Sequence, residues 1–362
     1  MKKLILPLIV LLLISCDEIK PILLTHNTPK NELFNYHGRI EILSDSSVVL
    51  INSAASVEFK VKGDSTTIHL QSVNGKHNYV VIEINGEDNR RYRVEGNSIT
   101  KISLKLPNKL ENKVSVYKAT EASNGGVIFY GVDAEELLLL KNEKELKIEF
   151  IGNSITCGMG ADTAEIPCGT GEWYDQHNAY LAYGPRIARA LNANFILNSV
   201  SGIGMYRNWN DENIDEPIMP QVYENLYLDL DSSKKYSFVY NPDIVSICLG
   251  TNDLSDGDGV KERLPFDENK FVTNYISFID KIYNHYPTTK IALLNSPMIT
   301  GEKSEVLLEC LKKVKNHFNE THAISIFEFN TITPNGCGSH PDLNDHKNAF
   351  ISFKKGNDLK NE

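Results

Sequence analysis

Apolar and polar positions fall into four stretches of different period. Lys2 and Lys3 precede an apolar run from Leu4 to Ile14 that ends at Ser15 and Cys16. The run is shorter than the ~20 residues that cross a bilayer and has the size of a signal-peptide core. Residues 17 to about 34 show no sustained period and predict a tether. From Tyr36 to about Val132, runs such as SVVLI, SVEFKVKG, TTIHLQS, YVVIEINGED and VIFYGV are short, β-branched and aromatic, and are separated by Gly, Asn, Asp and Ser. Closely spaced strands without intervening helices predict a β-sandwich or jelly roll.

The pattern changes at about Ala134. Five apolar runs (KIEFIGNS, ANFILNSVSG, DIVSICLGTND, KIALLNSPM and AISIFEFN) read as strands that end in polar loops. Between them AYLAYGPRIARAL, FVTNYISFIDKIYNH and SEVLLECLKKVKNHF carry helical spacing; in the last, Val306, Leu307, Cys310, Leu311 and Val314 share a face. Alternating strands and helices predict a parallel five-stranded sheet covered on both sides, with ligands beyond the carboxyl ends of its strands. The expected organisation is a signal peptide over 1–15, a tether over 16–34, a β-sandwich domain over 35–135 and an α/β domain over 136–362.

A chain of 362 residues accommodates two domains, and 41% hydrophobic with 23% charged residues excludes collagenous, coiled-coil and wholly disordered classes. The formal charge of −10, with no basic stripe, argues against nucleic acid as a partner. Leu13-Ile14-Ser15-Cys16 resembles a bacterial lipobox, in which cleavage precedes the Cys and that Cys is lipidated. Cys16 then anchors the chain to a membrane outside the cytoplasm, in the periplasm or at the cell surface; a plain secretory signal or an anchor helix is the alternative. Disulfides are permitted there. Cys248, inside IVSICLG, reads as a small core residue, whereas Cys157 and Cys168 flank a Gly-rich polar loop and form the expected bridge. No cysteine or histidine spacing suggests a metal site.

The chemistry gathers at the strand ends. Gly152-Asn153-Ser154 places a Ser where a helix begins, which suits a nucleophile and also a simple cap. Ser201-Gly202-Ile203-Gly204 follows the second strand and Gly250-Thr251-Asn252-Asp253 the third; a Gly backbone N–H and an Asn amide are donors suited to an oxyanion. His340-Pro341 follows the fifth strand. These four blocks in this order resemble the SGNH (GDSL-type) hydrolases. GNSITCGMG, SGIGMYRN, LGTND and GCGSHPDLNDH, together with the preceding β domain, resemble carbohydrate esterase family 2, which joins a jelly roll to a flavodoxin-like SGNH domain.

The resemblance implies removal of acetyl groups from plant polysaccharides such as xylan and glucomannan. It makes Ser154 the nucleophile and His340 its base, with the Ser154 N–H, the Gly202 N–H and the Asn252 amide as oxyanion donors, and it implies no cofactor. SGNH hydrolases usually carry an Asp three residues before the His, and here that residue is Cys337. The family includes members in which a main-chain carbonyl orients the imidazole of a Ser-His dyad, and this chain looks like one. Asp342 and Asp345 lie on the wrong side for the usual arrangement. Tyr206, Arg207 and Trp209 are expected sugar contacts, Trp173 lies in the loop after Cys157, and His346 is expected to begin the last helix. The expected partners are an acetylated polysaccharide or oligosaccharide and a membrane through the lipid, with the chain acting as a monomer. Other readings are an SGNH esterase acting on other acyl esters and an inactive glycan-binding lipoprotein.

Overall fold

The structure is a computed structural model that describes residues 23–141 and 144–349. Cys16 and the expected signal peptide lie outside the described residues. The first ten strands are β1 (Thr25–Asn27), β2 (Asn35–His37), β3 (Ile40–Ile42), β4 (Val48–Leu50), β5 (Ser56–Ser72), β6 (Asn78–Ile84), β7 (Glu87–Val94), β8 (Thr100–Lys105), β9 (Asn112–Lys118) and β10 (Val127–Leu138). All their pairings are antiparallel. The 17-residue β5 changes neighbours along its length, lying beside β9 at Ser56–Val61 and beside β8 at Ser65–Leu70. That exchange folds the strands over one apolar core containing Phe59, Ile68, Leu70, Val116 and Phe129. Every second residue of β8 is exposed, the alternation of a half-buried strand.

Two expectations change here. The tether ends earlier than position 34, because Thr25–Asn27 pairs with Ala134–Val132 of β10 and Phe34 packs edge-to-face on Phe59 and Phe129. Three residues are too few to reveal a period, and their partner lies more than a hundred positions away. Likewise β10 runs through to Leu138, beyond the expected boundary at 135, before the next strand begins at Lys147.

The second domain holds β11 (Lys147–Gly152), β12 (Asn194–Ser199), β13 (Ile244–Cys248), β14 (Lys290–Leu294) and β15 (Ile324–Phe327), with α1 (Ser154–Cys157), α2 (Tyr183–Ala190), α3 (Met219–Val222), α4 (Glu268–His285) and α5 (Glu302–His317). The sheet is wholly parallel in the order β12-β11-β13-β14-β15. Ile151, Val245, Ile247 and Leu293 pack with Phe278 and Ile282 of α4 and Leu307, Cys310 and Leu311 of α5. Phe150, Leu197 and Cys248 pack with Tyr183 and Ile187 of α2 and, from the first domain, Tyr79, Val81 and Tyr117. The two domains therefore share a core.

A polar clasp reinforces the contact. Arg39, fully buried, donates to Asn198 Oδ1 (2.6 Å), the Asn225 carbonyl (2.8 Å) and the Tyr223 carbonyl (2.7 Å), and stacks over Tyr236. Strand order reverses between β11 and β13, and in open α/β sheets that switch point opens a crevice beyond the strand ends.

Candidate active site

β11 ends at Gly152, and the chain turns so tightly into α1 that a Cβ there would lie 2.0 Å from Thr156 Oγ1. Asn153 caps the helix, its side chain accepting the Ile155 N–H at 3.1 Å. Ser154 is thereby released from the capping role and opens the helix with its hydroxyl facing the crevice.

His340 reaches Ser154 from the other end of the chain. Its Nε2 lies 2.8 Å from Ser154 Oγ and its Nδ1 2.8 Å from the Gly338 carbonyl. A carbonyl only accepts, so Nδ1 carries the proton and Nε2 accepts the Ser154 hydroxyl. Burial holds the His340 pKa below its ordinary 6.5, which leaves the imidazole neutral at pH 7. Asp345 instead accepts the Asn335 and Asp342 N–H groups, and Asp342 caps the turn at Asn344, so both shape the loop and neither is the partner of Nδ1.

Gly202 and Asn252 line the same crevice as Ser154 and His340, a cleft of about 860 Å³. Gly202 has φ of +79°, a conformation glycine adopts freely, and its carbonyl accepts the Trp209 N–H at 3.0 Å. Asn252 Nδ2 donates one hydrogen to the Ile203 carbonyl at 2.7 Å. An amide nitrogen has two, so this bond fixes its orientation and leaves the second for a ligand. Trp209 and Trp173, both partly exposed, stand on the cleft wall with Met159, Met298 and Lys303.

Three sequence-based expectations are corrected. The bridge joins Cys168 to Cys337, not to Cys157. Cys157 is fully buried, its thiol donating to Glu121 Oε2 at 2.8 Å, while the loop after α1 folds back so that the Gly160 carbonyl meets the Cys337 N–H at 2.9 Å. Tyr206 and Arg207 do not face the cleft. Tyr206 packs against Phe266 and Phe271, and Arg207 donates to the carbonyls of Asp253 (2.7 Å) and Leu264 (2.6 Å). Their part is structural, because Asp253 accepts the N–H groups of Met205, Tyr206 and Arg207 and so ties the glycine turn to the asparagine turn. His346 lies within a helix over 343–349, buried, with burial pushing its pKa down to about 3.

Sequence reasoning passed over Asp253, although it adjoins Asn252, and Glu121, whose strand-rich surroundings give no signal. Among the described residues, His26, His69 and Asp133 bring potential metal-binding atoms within 4.8 Å of one another. Asp133 hydrogen-bonds both rings, at 2.7 and 2.8 Å, and none of the three lines the cleft.

Comparison with known proteins finds relatives of both domains. Residues 36–141 match the carbohydrate esterase 2 N-terminal family and residues 150–329 the GDSL-like lipase/acylhydrolase family. The chain is 26% identical over 245 residues to an acetylxylan esterase/glucomannan deacetylase of Cellvibrio japonicus, covering 66% of each protein. It is 29% identical over 324 residues to the cellulase/esterase CelE of Acetivibrio thermocellus, covering 86% of this chain and 38% of CelE. A family two carbohydrate esterase from Clostridium thermocellum, solved in complex with cellohexaose, superposes with a TM-score of 0.78 at 27% identity, covering 90% of this chain and 99% of that one. Fold and site together define a hydrolase of the GDSL-like class. The chain carries a carbohydrate esterase 2 N-terminal domain ahead of that GDSL-like hydrolase domain.

Proposed function

We propose that the protein is a carbohydrate O-acetyl esterase that hydrolyses acetyl esters on plant polysaccharides such as xylan and glucomannan through a Ser-His dyad. The observation that carries this reading is the relay from the Gly338 carbonyl through His340 to Ser154 Oγ, with 2.8 Å at each step. The names of the Cellvibrio relative support the substrate class.

In the proposed reaction Ser154 Oγ attacks the ester carbonyl as His340 Nε2 takes its proton. The tetrahedral oxyanion is held by the Ser154 N–H, the Gly202 N–H and the free hydrogen of the Asn252 amide. His340 then protonates the departing sugar oxygen, leaving Ser154 acetylated, and water repeats the cycle to release acetate. The Gly338 carbonyl selects the productive tautomer, the task an Asp performs in a triad. The relay also weighs against an inactive glycan-binding role, because binding alone needs no base on a serine.

The test is acetate release from acetylated xylan, acetylated glucomannan and a chromogenic acetate ester. Ser154→Ala is expected to lower turnover by roughly 10⁴-fold or more, and a chelator to leave it unchanged. Turnover by the Ala variant equal to that of the wild type refutes the nucleophile. Turnover of longer acyl esters with none of acetate points to the alternative esterase reading.

We also propose that Cys16 carries lipid and that the protein works outside the cytoplasm, a placement consistent with the Cys168–Cys337 disulfide. Fatty-acid labelling of the wild type and its absence in Cys16→Ala is the check.

A further inference from the structure

The chain leaves β9 at Lys118 and, before β10, crosses to the hydrolase domain. On this crossing Glu121 is completely buried, yet it belongs to neither the dyad nor the oxyanion hole. Its Oε2 accepts the Ser201 N–H at 2.7 Å and the Cys157 thiol at 2.8 Å, and its Oε1 accepts the Ser123 hydroxyl at 2.6 Å. Every one of these partners donates, the set a carboxylate requires. Burial and the Glu121 charge together push the Cys157 thiol pKa up, so the thiol keeps its proton and remains a donor.

The two partners of Oε2 are not arbitrary. Ser201 immediately precedes Gly202, and Cys157 closes the four-residue helix that Ser154 opens. We infer that Glu121 is a positioning residue of the active site, supplied by the β domain, in which one carboxylate oxygen ties the oxyanion turn to the nucleophile helix. The inference rests on the esterase reading of that site. It gives the β domain a part in catalysis.

The charge has a second consequence. With Cys337 three residues before His340, no carboxylate among the described residues hydrogen-bonds the imidazole, and the negative charge of Glu121 acts on His340 from a distance, favouring the imidazolium formed during reaction. Among the described residues, Lys118 from the β domain and Cys157 on α1 face Glu121, while His177, itself beside Arg91, and His346, itself beside Arg186 and Asp345, face His340. Burial holds His177 and His346 neutral. Lys118 donates to the Thr120 and Glu121 carbonyls and is brought down by burial to about 7.

Two variants separate the tie from the charge. Glu121→Gln keeps an oxygen for Ser201 and Cys157 while its amide turns to the Ser123 hydroxyl, and it removes the charge. Glu121→Ala removes both. With a chromogenic acetate ester, the Ala variant is expected to lose about 10²-fold in kcat, the order of effect of a misplaced catalytic group, with KM within about twofold. The Gln variant is expected to recover at least about tenfold of that loss and to show the acid limb of its pH profile at lower pH, because a His deprived of a nearby negative charge loses its proton more easily. An Ala variant with the wild-type kcat, or equal losses in both variants with an unmoved acid limb, overturns the assignment. Should the Ala variant not fold, the Gln profile decides.

Labelling by a fluorophosphonate, which needs the nucleophile and oxyanion hole but no particular acyl group, keeps the two readings apart. An unreactive wild type refutes the serine esterase itself. Equal labelling rates in the wild type and Glu121→Ala refute only the role of Glu121.

Discussion

Cys337 stands three residues before His340 and is bonded to Cys168, 169 positions earlier in the chain. The bond pins the base of the His340 turn to the loop that follows the helix opened by Ser154, and the Cys337 N–H on the Gly160 carbonyl holds the same place. Where related hydrolases usually fix the histidine through a carboxylate, here the loop itself is fixed and a main-chain carbonyl does the orienting. Reduction by dithiothreitol, or Cys168→Ser, is therefore expected to lower kcat at temperatures where the fold persists, by up to about 10²-fold if His340 shifts by an ångström. Esterase assays before and after reduction, with circular dichroism confirming the fold, provide the check; undiminished kcat in the reduced protein refutes the role.

In the proposed reaction Asn252 serves the oxyanion with one amide hydrogen, while the other holds the Ile203 carbonyl. Asn252→Ala is expected to lower kcat by about 10²–10³-fold with little change in KM, the usual effect of losing one oxyanion donor. Asn252→Asp, which keeps the shape but replaces donors by a negative charge, is expected to fall at least as far. Steady-state kinetics on the acetate ester measure both.

Gly202 and Trp209 form one unit. A Cβ on Gly202 would sit 3.2 Å from Trp209 Cδ1, and its φ of +79° is unfavourable for alanine by roughly 1–2 kcal/mol. Gly202→Ala is expected to lower both thermal stability and kcat. Trp209→Ala leaves the dyad in place and removes an aromatic face from the cleft wall, so its KM is expected to rise for the polysaccharide and to stay near wild type for the small ester. A uniform KM effect on both substrates counts against a sugar platform.

The pH profile follows from His340. Burial disfavours the charged ring, so the group is neutral and able to act as base below its ordinary 6.5. The acid limb of kcat/KM is expected to have its midpoint below pH 6.5. A midpoint above that value contradicts the buried, carbonyl-oriented imidazole.

Stability has its own pH dependence. Burial pushes both His177 and His346 down to about 3, while the unfolded chain binds their protons near 6.5. Between those values the unfolded state holds more protons than the folded one, so acid favours unfolding. Each histidine contributes a loss of about 1.4 kcal/mol per pH unit. Melting temperature is expected to fall as pH drops from 6.5 toward 4, and His346→Gln to flatten that slope. An unchanged slope in the variant removes His346 from the account.

The sequence by itself determined the succession of a β-rich and an α/β domain, the five parallel strands and the loop positions of Ser154, Gly202, Asn252 and His340 after those strands. Those features are local: a strand shows in a few apolar residues, and Ser154, Gly202 and Asn252 stand within four residues of the strand ends that present them. Tertiary structure alone decided which cysteine meets Cys168, because loop composition says nothing of where a loop folds back. It turned Tyr206 and Arg207 away from the cleft, where the Tyr206 N–H meets Asp253 and the Arg207 guanidinium donates to the Leu264 carbonyl, partners 47 and 57 positions away that no local pattern reveals. It also brought Glu121 to Ser201 across 80 positions of chain. No period or motif encodes that contact, which exists only because the apolar faces of two domains close over one another and leave the carboxylate buried among donors.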